Sequence, residues 1–538
     1  MSQPPPPLGP PGAPPAAPVR VGRAVWLSAA TMTSRVLGLV REQIFAALVG
    51  ANRWSDAFVV AFRIPNLLRD LFAEGALSSA FVPAFADAHR NSGRDAAYRL
   101  GNAVVAIVLL VVGAITLAGM LFSGSVVAGI APGVKERALA SLLTRIMMPF
   151  LLLVSLSAVA MGMLNAQSRF TAPALAPALF NVGSIGVGGA LWLAGWPPER
   201  AVVGWAVGTM VGGLLQLVVQ LPSLRALGYR ARPRLARVDL DDPRLRRIGR
   251  LMSMAVVGLS ATQVNVLVNT WFASREEGAT TWLQFAFRLM QLPLGVFGVA
   301  IATVAGAGVA QRAAAKDMAA VGATLGSAMR LVAFLNVPSA VGLAVLSRPI
   351  ISLIYQHGRF GPADTDATAQ ALVFYAVGLY AYSAVKVFAP AFYALDEART
   401  PVVGSVLGMV SNVGLNAALY PVLGFRGVAL GTSLAAIANF AVLGWAWRAR
   451  HGGLGGARLG PQLAKVLVAS AVLGVTAWAT WRGLDRLLAP GGIPRQLALG
   501  LAPVVAGGIA YLGAARVLRI AELDELLGAL RRRRARAA

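Results

Sequence analysis

Fourteen stretches of the chain are apolar across a window of about 19 residues, the length of helix that crosses ~30 Å of hydrocarbon. They fall near 25–49, 56–86, 101–126, 139–165, 172–195, 201–224, 251–274, 281–309, 322–346, 367–395, 401–423, 427–447, 462–481 and 496–515. A bilayer offers no water to backbone amides and carbonyls, so a chain built this way folds as a bundle of spanning helices. The expected fold class is an all-α polytopic membrane protein of about 14 transmembrane helices. Only 13% of the 538 residues are charged, against ~25% in a typical soluble domain. Several stretches exceed 25 residues and contain Gly or Pro, which predicts tilted or kinked helices. The first follows Arg20 and Arg23 but lacks a cleavage-site ending and runs into Arg35 and Arg41, so it reads as a span and not a signal peptide.

The net charge of +26 is read as topology. A nucleic-acid partner is excluded, because so apolar a chain leaves too little polar surface for a basic cleft. With these spans, 28 of the 48 basic residues fall on the side of the termini, nine of them arginines between 225 and 250. Both termini are expected in the cytoplasm, with the chain in the bacterial inner membrane. The resulting divisions are a disordered Pro-rich tail (1–22), an N-lobe of six helices (23–224), a basic loop (225–250), a C-lobe of six helices (251–450), two further helices (451–519) and a basic tail (520–538). A weak internal repeat fits two lobes: Arg169, Pro173 and Asn181 precede Gly204 to Thr209, as Arg399, Pro401 and Asn412 precede Gly427 to Thr432. Two six-helix halves in one orientation form a transporter architecture with its site between them.

Charge inside the spans carries the chemistry. Arg35, Arg41 and Glu42 lie in span one, Arg63, Arg69, Asp70 and Glu74 in span two, Arg288 in eight, Arg330 in nine and Lys386 in ten. An arginine at a helix centre costs roughly 2.5–3.5 kcal/mol on insertion scales, so these groups face water, each other, or, by snorkelling, the interface. Arg41–Glu42 and Arg69–Asp70 are sequence neighbours, which on a helix do not face each other, and Arg288 has no acid anywhere in 281–309. Guanidinium clusters in a wet cavity suit a multi-oxygen anion such as phosphate or pyrophosphate. The aromatics Trp26, Phe58, Phe62, Phe285, Phe287 and Tyr380 read as packing rather than sugar platforms.

Two weaker constellations compete. Asn269, Asn412, Asn416 and Thr432, with Asn265, could hold a cation or simply join helices by hydrogen bonds; a hard cation would prefer a carboxylate. Asp239-Leu240-Asp241-Asp242 resembles a glycosyltransferase metal motif but reads as solvated loop within the arginine-rich segment. The chain has no cysteine and three histidines, all in or beside loops, which removes thiol chemistry and most metal sites; no cofactor is expected.

The run Ser34-Arg35-Val36-Leu37-Gly38-Leu39-Val40-Arg41-Glu42, followed by Asp56-Ala57-Phe58, Arg63-Ile64-Pro65-Asn66-Leu67-Leu68-Arg69 and Phe72-Ala73-Glu74-Gly75-Ala76, resembles the MurJ (MviN) lipid II flippases of the multidrug/oligosaccharidyl-lipid/polysaccharide exporter superfamily. Arg288-Leu289-Met290-Gln291-Leu292-Pro293 and Lys386-Val387-Phe388-Ala389-Pro390 continue the likeness, which covers nearly everything after the tail. The resemblance implies two six-helix lobes, two added helices grooved for a polyprenyl tail, and a transporter rather than an enzyme. Its substrate would be lipid II, the undecaprenyl-pyrophosphate-linked disaccharide peptide of cell-wall synthesis. Substrate binding is implied for Arg35, Arg41, Arg69 and Arg288, with support from Ser34, Glu42, Asp56, Asn66, Glu74 and Lys386. The bilayer is the obligatory partner and the cell-wall synthesis machinery a further candidate one. The alternatives are a flippase for another polyprenyl-linked glycan and a membrane-embedded phosphosugar transferase. The chain departs from the family pattern at Phe287, where an Asp is common, and in the small-residue run 301–308. Asn269 and Asn416 stand where some relatives have sodium-binding carboxylates, so membrane potential is a better candidate driving force than sodium.

Overall fold

The structure, a computed structural model, describes residues 21–70, 77–233, 238–239, 241–454, 459–489 and 491–528. Every element among them is helical. The first half comprises α1 (Val21–Val49), α2 (Arg53–Arg69), α3 (Leu77–Asn91), α4 (Gly93–Leu121), α5 (Ser123–Ile130), α6 (Arg137–Met147), α7 (Pro149–Ala166), α8 (Thr171–Leu193), α9 (Pro198–Val218) and α10 (Leu221–Ala226). The second half comprises α11 (Pro243–Ala273), α12 (Ala279–Pro293), α13 (Val299–Ala314), α14 (Met318–Val345), α15 (Ser347–Tyr355), α16 (Pro362–Ala376), α17 (Leu379–Ala394), α18 (Arg399–Leu423) and α19 (Phe425–His451). The chain continues into α20 (Leu459–Leu487) and α21 (Gly492–Val517). The Pro-rich tail, the Arg-rich C-terminus and Glu74 lie outside the described residues.

Ten helical segments among these are long and apolar enough to cross a membrane, or eleven when α16 and α17, bent by 44°, count as one span. The other expected spans coincide with α1, with the α2–α3 region and with α11. α1 carries Arg23, Arg35, Arg41 and Glu42, α2 and α3 are only 17 and 15 residues long, with Arg69 at the end of α2, and α11 carries the Asn265/Asn269 pair. Polarity is what a helix lining an aqueous cavity requires.

Both members of the internal repeat are tight helix pairs, α8–α9 and α18–α19, each packed on the first long helix of its half, α1 or α11 respectively. Glycine permits the close approach: a Cβ on Gly183 would lie 2.9 Å from the Gly212 Cα.

Loops from both halves meet at one end of the bundle. The Arg359 amide donates to Ala47 O (2.9 Å) and its guanidinium to Leu48 O (3.3 Å), satisfying carbonyls at the end of α1 that have no helical partner. Lys135 pairs with Glu277 at 2.6 Å and Arg53 with Glu136 at 3.3 Å. Beneath these contacts one apolar core joins α1, α2, α6 and α9 to α12, α15 and α16. A separate core around Phe81, Phe85 and Phe150 holds the first half and takes in Leu245 and Ile248 of α11, and another around Phe388 and Trp447 lies in the second half. The bundle is therefore closed across its halves at this loop end.

Gly358 is essential to that closure. Its φ is +57°, and a Cβ there would lie 2.4 Å from Ala47 O. Gly358→Ala is expected to cost about 1–3 kcal/mol from backbone strain alone, read as a lower thermal unfolding midpoint in detergent. An unchanged midpoint would mean that the loop relaxes freely.

Candidate functional site

The helix that contributes Arg288 is interrupted just beyond it. Pro293 cannot donate to the helical ladder, and the chain widens into a π-helical turn over Leu294–Gly298 before resuming as α13. Arg35 of α1 packs on this turn: its Nη1 lies 3.3 Å from the position a Cβ on Gly295 would take. The wide turn thus receives a guanidinium from the other half of the chain.

Glu42 is the centre of the arrangement. Its buried carboxylate is 2.9 Å from Arg288 Nε and 3.6 Å from Arg41 Nη2, and it accepts a hydrogen bond from the Tyr355 hydroxyl at 3.3 Å. Arg41 is held between Glu42 and the Phe180 ring, whose centroid is 5.2 Å from the guanidinium carbon. It also experiences the positive charges of Arg288 and Arg69. At the end of α2, Arg69 pairs with Asp70 at 3.0 Å, and Asp70 accepts from Gln263 of α11 at 3.4 Å. Three arginines from α1, α2 and α12 thus share one electrostatic field with Glu42 and Asp70. Counted along their helices, Arg41 and Arg288 lie about 12–14 Å from the closed end, and Arg35 and Arg69 about 21–24 Å from it.

Two sequence expectations are corrected. Arg288 does have an internal acid, contributed by α1 rather than by its own span. Adjacent residues also pair, at Arg41–Glu42 and Arg69–Asp70: helical spacing separates their Cα–Cβ directions, but an arginine stem is long enough to bend back.

Asp56, buried at the start of α2, caps α12 from across the interface. It accepts from Gly278 N (2.5 Å), Thr280 Oγ1 (2.5 Å), Thr281 N (3.1 Å) and Thr281 Oγ1 (2.8 Å). These are donors that a helix N-terminus cannot satisfy itself, and the carboxylate also complements the helix dipole. Its position at the closed end makes Asp56 a latch rather than a cavity ligand. Ser34 supplies its carbonyl to Asn181 at 3.0 Å, and Asn66 sits half-buried one turn before the Arg69–Asp70 pair. Lys386 stands apart, exposed on an apolar groove of about 370 Å3 between α13 and α17. Arg330 reaches Glu522 at 2.8 Å, fastening segment 521–528 to α14.

The amide cluster joins three helices of the second half. Asn269 donates to Thr432 Oγ1 (3.0 Å), Asn416 to Asn269 Oδ1 (2.8 Å) and Asn412 to Thr432 Oγ1 (3.4 Å), joining α11, α18 and α19. The donor set is neutral; Asn269 Oδ1 is consumed inside the network, whereas Asn416 Oδ1 and Asn265 Oδ1 are buried without a hydrogen-bond partner. In the acidic loop, Asp242 caps α11 by accepting from Arg244 N at 2.8 Å and Asp241 pairs with Arg246, while Leu240 lies outside the described residues.

Comparison with known proteins decides the family. The family model described as Lipid II flippase MurJ matches residues 45–491. The chain belongs to the MurJ lipid II flippase family. It is 36% identical over 437 residues to the probable lipid II flippase MurJ of Vibrio cholerae, spanning 78% of this chain and 81% of that one. The Burkholderia cenocepacia lipid II flippase MurJ is 34% identical over 427 residues, again 78% and 81%. A solved MurJ structure described as inward closed superimposes with a TM-score of 0.75 at 24% identity, covering 92% of this chain and 98% of that one. A multidrug MATE transporter in an inward-facing conformation gives 0.65 at 17%, covering 80% and 98%. The MurJ and MATE folds are thus shared, and the chain is a multi-pass transporter and not an enzyme.

Asp56 is the residue whose task the sequence concealed. Its motif marked it, but its partners lie more than 220 positions away.

Proposed function

We propose that the chain flips lipid II from the cytoplasmic to the outer leaflet by alternating access, with Arg35, Arg41, Arg69 and Arg288 receiving the pyrophosphate. The carrying observation is the convergence of Arg41 and Arg288 on Glu42, with Arg69 in the same field. Family membership supplies the substrate. Guanidinium forks remain charged and bind phosphate oxygens in pairs, and Glu42 holds two of them in place between substrate molecules. The two halves act as six-helix lobes with both termini in the cytoplasm, and the closed end then faces outward. Rocking the lobes opens that end and releases the head group while the polyprenyl tail stays in lipid.

Among the described residues, four arginines face Glu42 and Asp70, which makes the empty site net positive. Each charge crossing 100 mV is worth roughly 2.3 kcal/mol, so the resting potential returns the empty site inward. The neutral Asn269–Asn416 network fits this source of work. Replacing external and internal sodium by potassium at constant potential is expected to leave the flipping rate within about two-fold; a collapse of the rate would establish sodium dependence.

The function is tested by expressing the chain in cells depleted of their own lipid II flippase. Restored growth and wall synthesis are expected. Lysis at normal expression would contradict the proposal.

A further inference from the structure

Lys386 is a charge within the spanning helices that the arginine cavity does not explain. It is exposed on α17, and among the described residues no acid pairs with it and no hydrogen bond reaches it. It stands at an apolar groove of about 370 Å3 that Val299, Ala302, Gly306 and Ala307 of α13 form with Pro390 of α17. The other polar group there, the Thr303 hydroxyl, is taken up by Val299 O at 2.9 Å. Snorkelling along its stem would return the ammonium to water, but it would leave the groove beside it unfilled. An apolar slot with one cation at its rim is complementary to an apolar chain that ends in an anion.

Ala302, Gly306 and Ala307 belong to the small-residue run 301–308, and their short side chains leave the slot open. A Cβ on Gly306 would lie 3.6 Å from Pro390 Cβ, in ordinary contact, so a larger side chain there would enter the slot without forcing the backbones apart. Depth narrows the kind of anion. The groove begins at Val299, directly after the π-helical turn that receives Arg35. Counted along α12 and α13 from Ala279, it lies about 30–40 Å from the closed end, beyond Arg35 and Arg69 and at the far edge of a ~30 Å hydrocarbon core. That is the level at which the phosphate of a lipid in the leaflet meets its hydrocarbon chain.

We infer that the groove between α13 and α17 is a loading site for the substrate lipid: Lys386 meets the pyrophosphate, and the slot takes the tail units next to it, before the head group passes on to Arg35 and Arg69. The inference rests on the flippase reading. Two kinds of cation suit the two tasks. An ammonium on a flexible stem is a point charge that attracts phosphate without demanding one geometry, whereas guanidinium forks hold it bidentately. Positive charge then increases along the path, from one ammonium at the groove to the arginines nearer the closed end, which draws the anion inward.

The test uses the full-length protein in vesicles with lipid II that carries a photoreactive group on the isoprene unit next to the pyrophosphate. Wild type is expected to be labelled on α13 between Val299 and Ala307, and so is Arg288→Ala, because loading precedes the step that Arg288 serves. Lys386→Met keeps the stem but removes the charge, and should lower the labelling about five-fold, the effect of one basic residue at a membrane surface. Lys386→Arg should restore it, and Gly306→Leu, which fills the slot, should abolish it. Labelling absent from α13, or unchanged in both Lys386→Met and Gly306→Leu, overturns the loading site. Equal labelling by a phosphatidylglycerol with the same group near its phosphate overturns the assignment to the substrate. Flipping by the same vesicles reports the other reading separately: groove labelling in a wild type that moves no lipid would keep the site and remove the flippase.

Discussion

Arg288→Ala is expected to abolish flipping, at least ~100-fold in rate, with the protein still present in the membrane at normal levels. Arg288 is exposed but Glu42 is buried, and stranding a buried charged group costs more than the roughly 1–3 kcal/mol of a neutral one, each 1.4 kcal/mol being a factor of ten. The loss is double here. The substrate loses one guanidinium, and Glu42 loses its 2.9 Å partner, keeping only the more distant Arg41 and the Tyr355 hydroxyl. Arg288→Lys should rescue little, since an ammonium cannot bond Glu42 through one nitrogen and present a planar fork with the others. The check is rescue of flippase-depleted cells alongside an immunoblot. Full growth on Arg288→Ala would remove this residue from the site.

Asp56→Ala should act on the opposite process, unfastening the closed end. Three donors at the start of α12 would lose their acceptor while the Thr281 hydroxyl keeps Ser55 Oγ at 3.0 Å, and buried donors left unpaired cost about 1–3 kcal/mol each before relaxation or hydration. A net loss of roughly 3–5 kcal/mol in the closed state is expected. Two measurements read it: a lower thermal midpoint in detergent, and fast hydrogen exchange at the Gly278 and Thr281 amides, which the carboxylate protects. Asp56→Asn keeps one acceptor oxygen and should fall between. Continued protection in Asp56→Ala would show that the latch is redundant with the Lys135–Glu277 and Arg53–Glu136 pairs.

Arg35, Arg41, Arg69 and Arg288 were visible in the sequence because charge inside an apolar window is a local anomaly, readable without knowing any partner. Partners were another matter. Glu42 and Arg288 are 246 positions apart, and nothing in span eight points to an acid in span one. Asp56 could be marked from its motif, but its role as a cap depends on α12 beginning opposite α2, a fact of tertiary packing. The helix count shows the same division. Strongly apolar stretches such as 101–126 stand out by composition alone, while α1 trades apolar character for Arg35, Arg41 and Glu42. The π-helical turn after Pro293 had a sequence cause in the proline, but its use as a seat for Arg35 follows only from the meeting of the two halves.

The most direct test places the purified chain in vesicles carrying labelled lipid II, imposes a potential, and follows the label's exposure to a reagent confined to one leaflet. Wild type is expected to move lipid II across within the assay, faster with the potential oriented as in the cell, whereas Arg288→Ala vesicles match protein-free controls. Wild-type vesicles no faster than protein-free ones, or Arg288→Ala vesicles as fast as wild type, would contradict flipping through the arginine cavity.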